Sequence, residues 1–133
     1  AKYMRDVLMD ENKFLAPGGI RSHSKEDVDI YNNVKMVDPS NWQGPVWGLT
    51  SYLCAYGLNR YGYKEEATEI ARRMSNTFAN DIKQNGCIHE YYSGDDNQPL
   101  FRPGFISWNV LALRAEYEIA NSLDCTTLSL LQI

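Results

Sequence analysis

The sequence predicts an all-α fold in which apolar inner helices alternate with a striped outer one. Three stretches of the 133-residue chain carry that expectation. Residues 46–58 hold almost no polar side chain, only Thr50 and Ser51, and a helix apolar all round must be covered all round. Residues 64–83 place Ala67, Ile70, Ala71, Met74, Phe78 and Ile82 on one stripe with charges opposite, the pattern of a half-solvated helix. Residues 105–120 open on a second nearly all-apolar run and end with Arg114, Glu116 and Glu118. Buried, amphipathic, buried is the order that two packed helical layers require.

Taken in order, residues 2–10 set Tyr3, Met4, Val7 and Leu8 on one helical face. Nothing ahead of them can cap a helix, so the chain is expected to open inside an element or at its tail. Residues 11–40 are irregular, with Pro17-Gly18-Gly19 and Asp38-Pro39; Ile20, Tyr31, Val34 and Met36 argue for order there. Pro45 pre-sets φ for the first turn of the helix expected after it. Tyr61-Gly62-Tyr63 ends that helix. Glu65, Glu66 and Glu69 stand early in the next, where the helix dipole favours them, and residues 84–86 close it. A short aromatic piece, 87–92, and a polar loop, 93–99, lead through Pro103-Gly104 to the last helix. The tail from Leu123 is apolar but too short for an element of its own.

Composition narrows the class. Hydrophobic residues at 44% and charged ones at 23% suit one modest globular domain. A net charge of −4 without a basic run argues against a nucleic-acid partner. No apolar run is long enough to span a bilayer, so no membrane partner is expected. Cys54, Cys87 and Cys125 lack metal-ligand spacing, as do His23 and His89, and no metal or cofactor is expected. There is neither a glycine-rich phosphate loop nor a serine-nucleophile elbow.

The chemistry gathers in two short stretches. Asn41-Trp42-Gln43-Gly44-Pro45-Val46-Trp47 presents two indoles and an amide at a helix mouth. Aromatic faces with planar hydrogen-bonding groups suit a sugar ring, apolar on its faces and polar at its rim; two core tryptophans around a helix start are the alternative. His89-Glu90-Tyr91-Tyr92 places a carboxylate among aromatics with no basic neighbour in the local sequence. Glu90 is therefore a general acid or base, or else a salt-bridged structural residue. Asp95 and Asp96 read as turn residues, with metal or hydroxyl binding the lesser reading. Arg21, in Arg21-Ser22-His23-Ser24, could clamp an anionic or polyhydroxylated substrate, or stand in a solvated turn. For Trp108, on the last helix, core packing is the default and a sugar platform the alternative.

Gly19-Ile20-Arg21-Ser22 with Tyr31 downstream, the 41–47 motif, His89-Glu90-Tyr91-Tyr92 and Phe105-Ile106-Ser107-Trp108 together resemble glycoside hydrolase family 63, in the family's order. The resemblance covers roughly residues 15–115 and implies an (α/α)6 barrel and inverting hydrolysis of an α-glycosidic bond. Glu90 matches the family's general base. Trp42, Gly44 and Trp47 match residues lining its sugar site, and at least one of the two indoles is expected to face the cleft. Gln43 stands where some members carry arginine, and Tyr91 is grouped with the sugar-binding residues. The family's general acid is an aspartate well before the Trp-x-Gly-Pro-x-Trp motif, which no stretch here matches. The resemblance thus implies the C-terminal part of one catalytic domain, with a sugar as substrate and the N-terminal part of the barrel as partner. A non-catalytic carbohydrate-binding or helical scaffold piece is the competing reading.

Overall fold

The computed structural model describes residues 1–34 and 40–121. Met36, the Asp38-Pro39 pair, Cys125 and the tail from Leu123 lie outside the described residues. The elements run α1 (Lys2–Leu8), β1 (Leu15–Ala16), β2 (Gly19–Ile20), β3 (Val46–Trp47), α2 (Gly48–Arg60), α3 (Lys64–Asn85), β4 (His89–Tyr92), β5 (Pro99–Pro103) and α4 (Asn109–Ala120). The fold is mixed α/β, which overturns the all-α expectation and with it the (α/α)6 barrel. β1 and β2 form an antiparallel hairpin, and β3, β4 and β5 form an antiparallel sheet in that order. An isolated bridge from Arg21 to Val46 ties the segment after β2 to β3.

Pairing with distant backbone explains why the strands escape helical periodicity. Val46 and Trp47 follow Pro45 and were expected inside a helix. They are instead extended, paired with Tyr92 and Tyr91, and α2 starts only at Gly48. Residues 87–92 continue into β4, whose partner β5 is bounded by Pro99 and Pro103, neither of which can donate a ladder hydrogen bond.

α2, α3 and α4 pack on one another around a core that includes Tyr52, Ala55, Ile70, Met74, Phe78, Ala112 and Ile119. α3 follows its sequence pattern, burying Ala67, Ile70, Ala71, Met74 and Phe78 and closing at Gly86. Ile82, expected on that stripe, is 52% exposed, because the buried face turns onto Asp81 instead. The expectation that residues 46–58 and 105–113 are buried all round holds only in part. Leu53 of α2 and Ile106, Val110, Leu111 and Leu113 are exposed, so among the described residues α4 and the segment before it leave several apolar side chains uncovered and α2 leaves one.

α4 begins at Asn109, four residues later than its sequence suggests. The fully buried Asn109 side chain donates to the carbonyls of Phe105 at 3.2 Å and His89 at 2.9 Å, holding the approach to the helix in a turn. Its Oδ1 lies against Gly48, where an added Cβ would come within 2.5 Å of it. Close approach of α2 to α4 therefore requires glycine at position 48. Gly48→Ala should cost about 1–3 kcal/mol by overpacking. Urea unfolding monitored by far-UV circular dichroism checks this; an unchanged midpoint would contradict the packing described.

Candidate functional site

Five aromatic rings meet where β3, β4 and β5 come together. Trp42 stacks almost parallel on Trp47, centroids 3.9 Å apart and planes 7° from parallel. Trp47 stacks on Tyr91 at 4.6 Å, and Tyr91 on Phe101 of β5 at 5.9 Å. Trp108 flanks Trp47 at 6.1 Å. Register produces the stack, because Trp47 faces Tyr91 and Tyr91 faces Phe101 across the ladders. Trp47 is wholly buried, and its indole N–H donates to the Asn41 carbonyl at 2.9 Å. Trp42 is 41% exposed and is the member of the pair open to solvent.

Glu90 sits on β4, beside Tyr91. It is 6% exposed, and its Oε2 is buried without a hydrogen-bond partner. Burial pushes its carboxyl above the usual carboxylate range, opposed by the charge of Arg102. Among the described residues no cation lies within salt-bridge distance of it, so the salt-bridged alternative lacks a partner. A buried acceptor left unpaired is costly in a protein interior. A carboxyl raised by burial is a candidate for proton transfer.

The strand is held by α3. Buried Asp81 accepts through Oδ2 from the His89 backbone N–H at 2.9 Å, from His89 Nδ1 at 2.8 Å and from the Tyr92 hydroxyl at 2.7 Å. Its Oδ1 accepts from Asn85 at 2.8 Å. These bonds grip β4 on both sides of Glu90. Burial of Asp81 opposes its ionisation, but the donors Tyr92, Asn85 and His89 outweigh it and hold the carboxyl below its usual range. The Tyr92 phenol is driven strongly upward by burial and by Asp81.

Arg21 is buried, which sets aside the solvated-turn reading. It is 4% exposed, and its guanidinium donates to the carbonyls of Gly94 (3.0 Å), Glu11 (3.0 Å) and Leu15 (2.6 Å). In this structure it is a bracket between loops. Gly44 is buried under Tyr31, where a Cβ would meet the ring at 2.9 Å and the Asn32 carbonyl at 3.1 Å. Gln43 is exposed, and its carbonyl receives the Asn32 N–H at 2.6 Å. Asp95 accepts from Lys25 at 2.6 Å, Asn33 at 2.9 Å and Tyr31 at 3.2 Å. Burial works against its ionisation, but those donors lower its carboxyl below the usual range. Trp108 is half-buried at the start of α4 with its indole N–H unpartnered.

The structure thus brings together Tyr91, Trp42, Trp47 and Trp108 and sets Glu90 next to Tyr91 on β4, while Arg21 and Gly44 support the loops beside them. Two larger concavities lie elsewhere. One of about 260 Å³ is apolar, between α1 and α2, and one of about 180 Å³ is polar, beside Asp81 and Asn97; neither is lined by Glu90, Trp42 or Trp47. No group of three or more metal-ligating side chains occurs among the described residues. Nor is any described helix long and apolar enough to cross a membrane. Sequence reasoning missed Asp81, Phe101 and Arg102. Asp81 left a signal, since it lies three residues after Phe78 on the buried stripe; the other two become visible only through strand register.

A carboxyl depressed in the folded state stabilises fully above its unfolded pKa of about 3.9 and loses that stabilisation as pH falls through the lower folded value. Asp81→Asn should therefore lower stability by about 1–3 kcal/mol at neutral pH and flatten the loss of Tm below about pH 4. Thermal melts of both proteins from neutral to acid pH check it; parallel curves would remove Asp81 as the anchor.

The chain matches the model of the mannosylglycerate hydrolase MGH1-like glycoside hydrolase domain over residues 1–108. It is similar to mannosylglycerate hydrolases MGH1 and MGH2 of Selaginella moellendorffii, 39% identical over 38% of this chain and 9% of theirs. An uncharacterized protein of Saccharomyces cerevisiae is 30% identical over 71% of this chain and 12% of its own length. The chain therefore spans about a tenth of the length of these relatives.

Proposed function

This chain belongs to the mannosylglycerate hydrolase MGH1-like glycoside hydrolase family, and we propose that it carries the general base of an inverting hydrolase acting on α-glycosidic bonds of small gluco- or manno-configured glycosides. The observation that carries the reading is Glu90: a buried carboxylate with an unpaired oxygen, next in sequence to a ring of the stack that ends on Trp42. Assignment to glycoside hydrolase family 63 is supported by the order of the four motifs from Gly19 to Trp108.

In this mechanism Glu90 takes a proton from water as that water attacks the anomeric carbon opposite the leaving oxygen. A second carboxyl, roughly 6.5–9.5 Å away, protonates the leaving oxygen. The partner acid and the other wall of the site come from the rest of a longer domain. Two observations support that partner: the apolar side chains exposed before and along α4 among the described residues, and the small share of its relatives that the chain spans. A general acid contributes about two to four powers of ten in rate, so the 133-residue chain alone is expected not to turn over an α-glucoside. Saturable turnover by the purified chain would defeat this reading.

Glu90→Gln keeps the shape of the side chain and removes its charge. In the longer hydrolase it should lower kcat at least about a hundredfold while leaving substrate binding in place. Measuring kcat and Tm on the same variant separates the base from a structural role, and near-normal turnover in a folded protein would remove Glu90 from the mechanism.

The two stacked indoles should respond differently. Trp42 offers its outer face to solvent, so Trp42→Ala should raise KM with little loss of stability. Trp47 is sealed beneath it, so Trp47→Ala should destabilise by about 3–5 kcal/mol. Equal effects on KM and Tm in the two variants would contradict a sugar platform on Trp42.

A further inference from the structure

Between the paired positions His89–Pro103 and Tyr91–Phe101, Glu90 and Arg102 take the facing places on β4 and β5. Arg102 has φ +47°, a conformation that suits glycine and is uncommon for a long side chain. Its guanidinium rests 5.6 Å above the ring of Phe101, the outer member of the aromatic stack. Among the described residues it forms no ion pair within 4 Å, so its charge is not spent on another carboxylate. A strained, exposed arginine opposite a buried acid calls for a role of the side chain.

We propose that Arg102 is a positioning residue for Glu90, the cation across the β4–β5 ladder that holds this buried carboxylate in the charged form a base requires. The inference rests on the reading of Glu90 as the general base. β3 contributes Val46 and Trp47, which do not titrate, and Trp108 ahead of α4 does not titrate either. On β4 itself, His89 and Tyr92 turn to Asp81 of α3, and Tyr91 lies in the stack. Burial alone raises Glu90, and Arg102 is the charge that opposes it. An arginine is suited to this because it stays protonated at every pH the site meets.

The test titrates Glu90 directly in the 133-residue chain, by carbon NMR of glutamate labelled at the side-chain carboxyl. Glu90→Gln assigns the resonance by its loss. Arg102→Gln should move the Glu90 midpoint up by about half a unit or more, and Arg102→Lys should keep it near the parent value. Arg102→Gly, whose backbone suits the positive φ, should show the same rise as Arg102→Gln, so that misfolding is not the cause. Salt at about 0.5 M should shrink the difference, as screening requires. In the longer hydrolase, Arg102→Gln should shift the acidic limb of kcat/KM upward in parallel. Coincident midpoints in the parent and in Arg102→Gly would overturn the proposal. So would an Arg102→Gln effect confined to KM for anionic glycosides, which would make the arginine a substrate contact. The titration needs no turnover. If Glu90→Gln keeps its rate while the midpoint moves with Arg102, the general-base reading fails and the influence of Arg102 on Glu90 stands.

Discussion

The carboxylate of Asp81 joins the longest helix to the middle strand, and the candidate site depends on that junction. One side-chain oxygen takes a backbone N–H, an imidazole N–H and a phenol from β4, all within 2.9 Å. Because the carboxylate is buried and ionised, each donor meets a charged acceptor away from water, where such bonds are strongest. His89 and Tyr92 bracket Glu90, so whatever holds them holds the acid between. α3 is in turn seated by its own apolar stripe against α2 and α4. Helix packing is thereby converted into the placement of one carboxylate on a four-residue strand.

The loops before β3 are organised by a second set of polar groups with the same logic. Arg21 gathers carbonyls from Glu11, Leu15 and Gly94, and Asn41 takes those of Asn32 and Val34 while receiving the Trp47 indole N–H on its own carbonyl. Long connections hold buried carbonyls that need donors, and one guanidinium supplies several at once. The consequence is a rigid bed under the Trp42–Trp47 stack. Trp42 offers one indole face to solvent while its other face lies on the buried, hydrogen-bonded ring of Trp47.

Trp42 occupies the exposed margin of this arrangement, and Glu90 is buried beside Tyr91 on β4. Neither of the two larger concavities includes them. Leu53 on α2 and Ile106, Val110, Leu111 and Leu113 before and along α4 are exposed among the described residues. Those side chains are why the expectation that both apolar segments are shielded on all sides holds only in part.

What the sequence by itself determined is the part governed by local periodicity and by residue chemistry. The stripe of α3, its end at Gly86, the end of α2 near Tyr61 and the aromatic and acidic character of 41–47 and 89–92 could all be read from neighbouring residues. Family membership was legible at the level of a glycoside hydrolase, because the motifs keep their order along the chain. Tertiary structure alone decided the sheet, the late start of α4, the bracket role of Arg21 and the facing of Arg102 and Glu90. Two-residue strands have no period to detect, and whether Val46 is helical or extended depends on Arg21 and Tyr92, which lie far from it in sequence. An all-helical reading follows when apolar runs are judged by their own spacing, since such runs suit a buried strand as well as a buried helix. The choice between them belongs to hydrogen-bond partners that only the folded chain brings together.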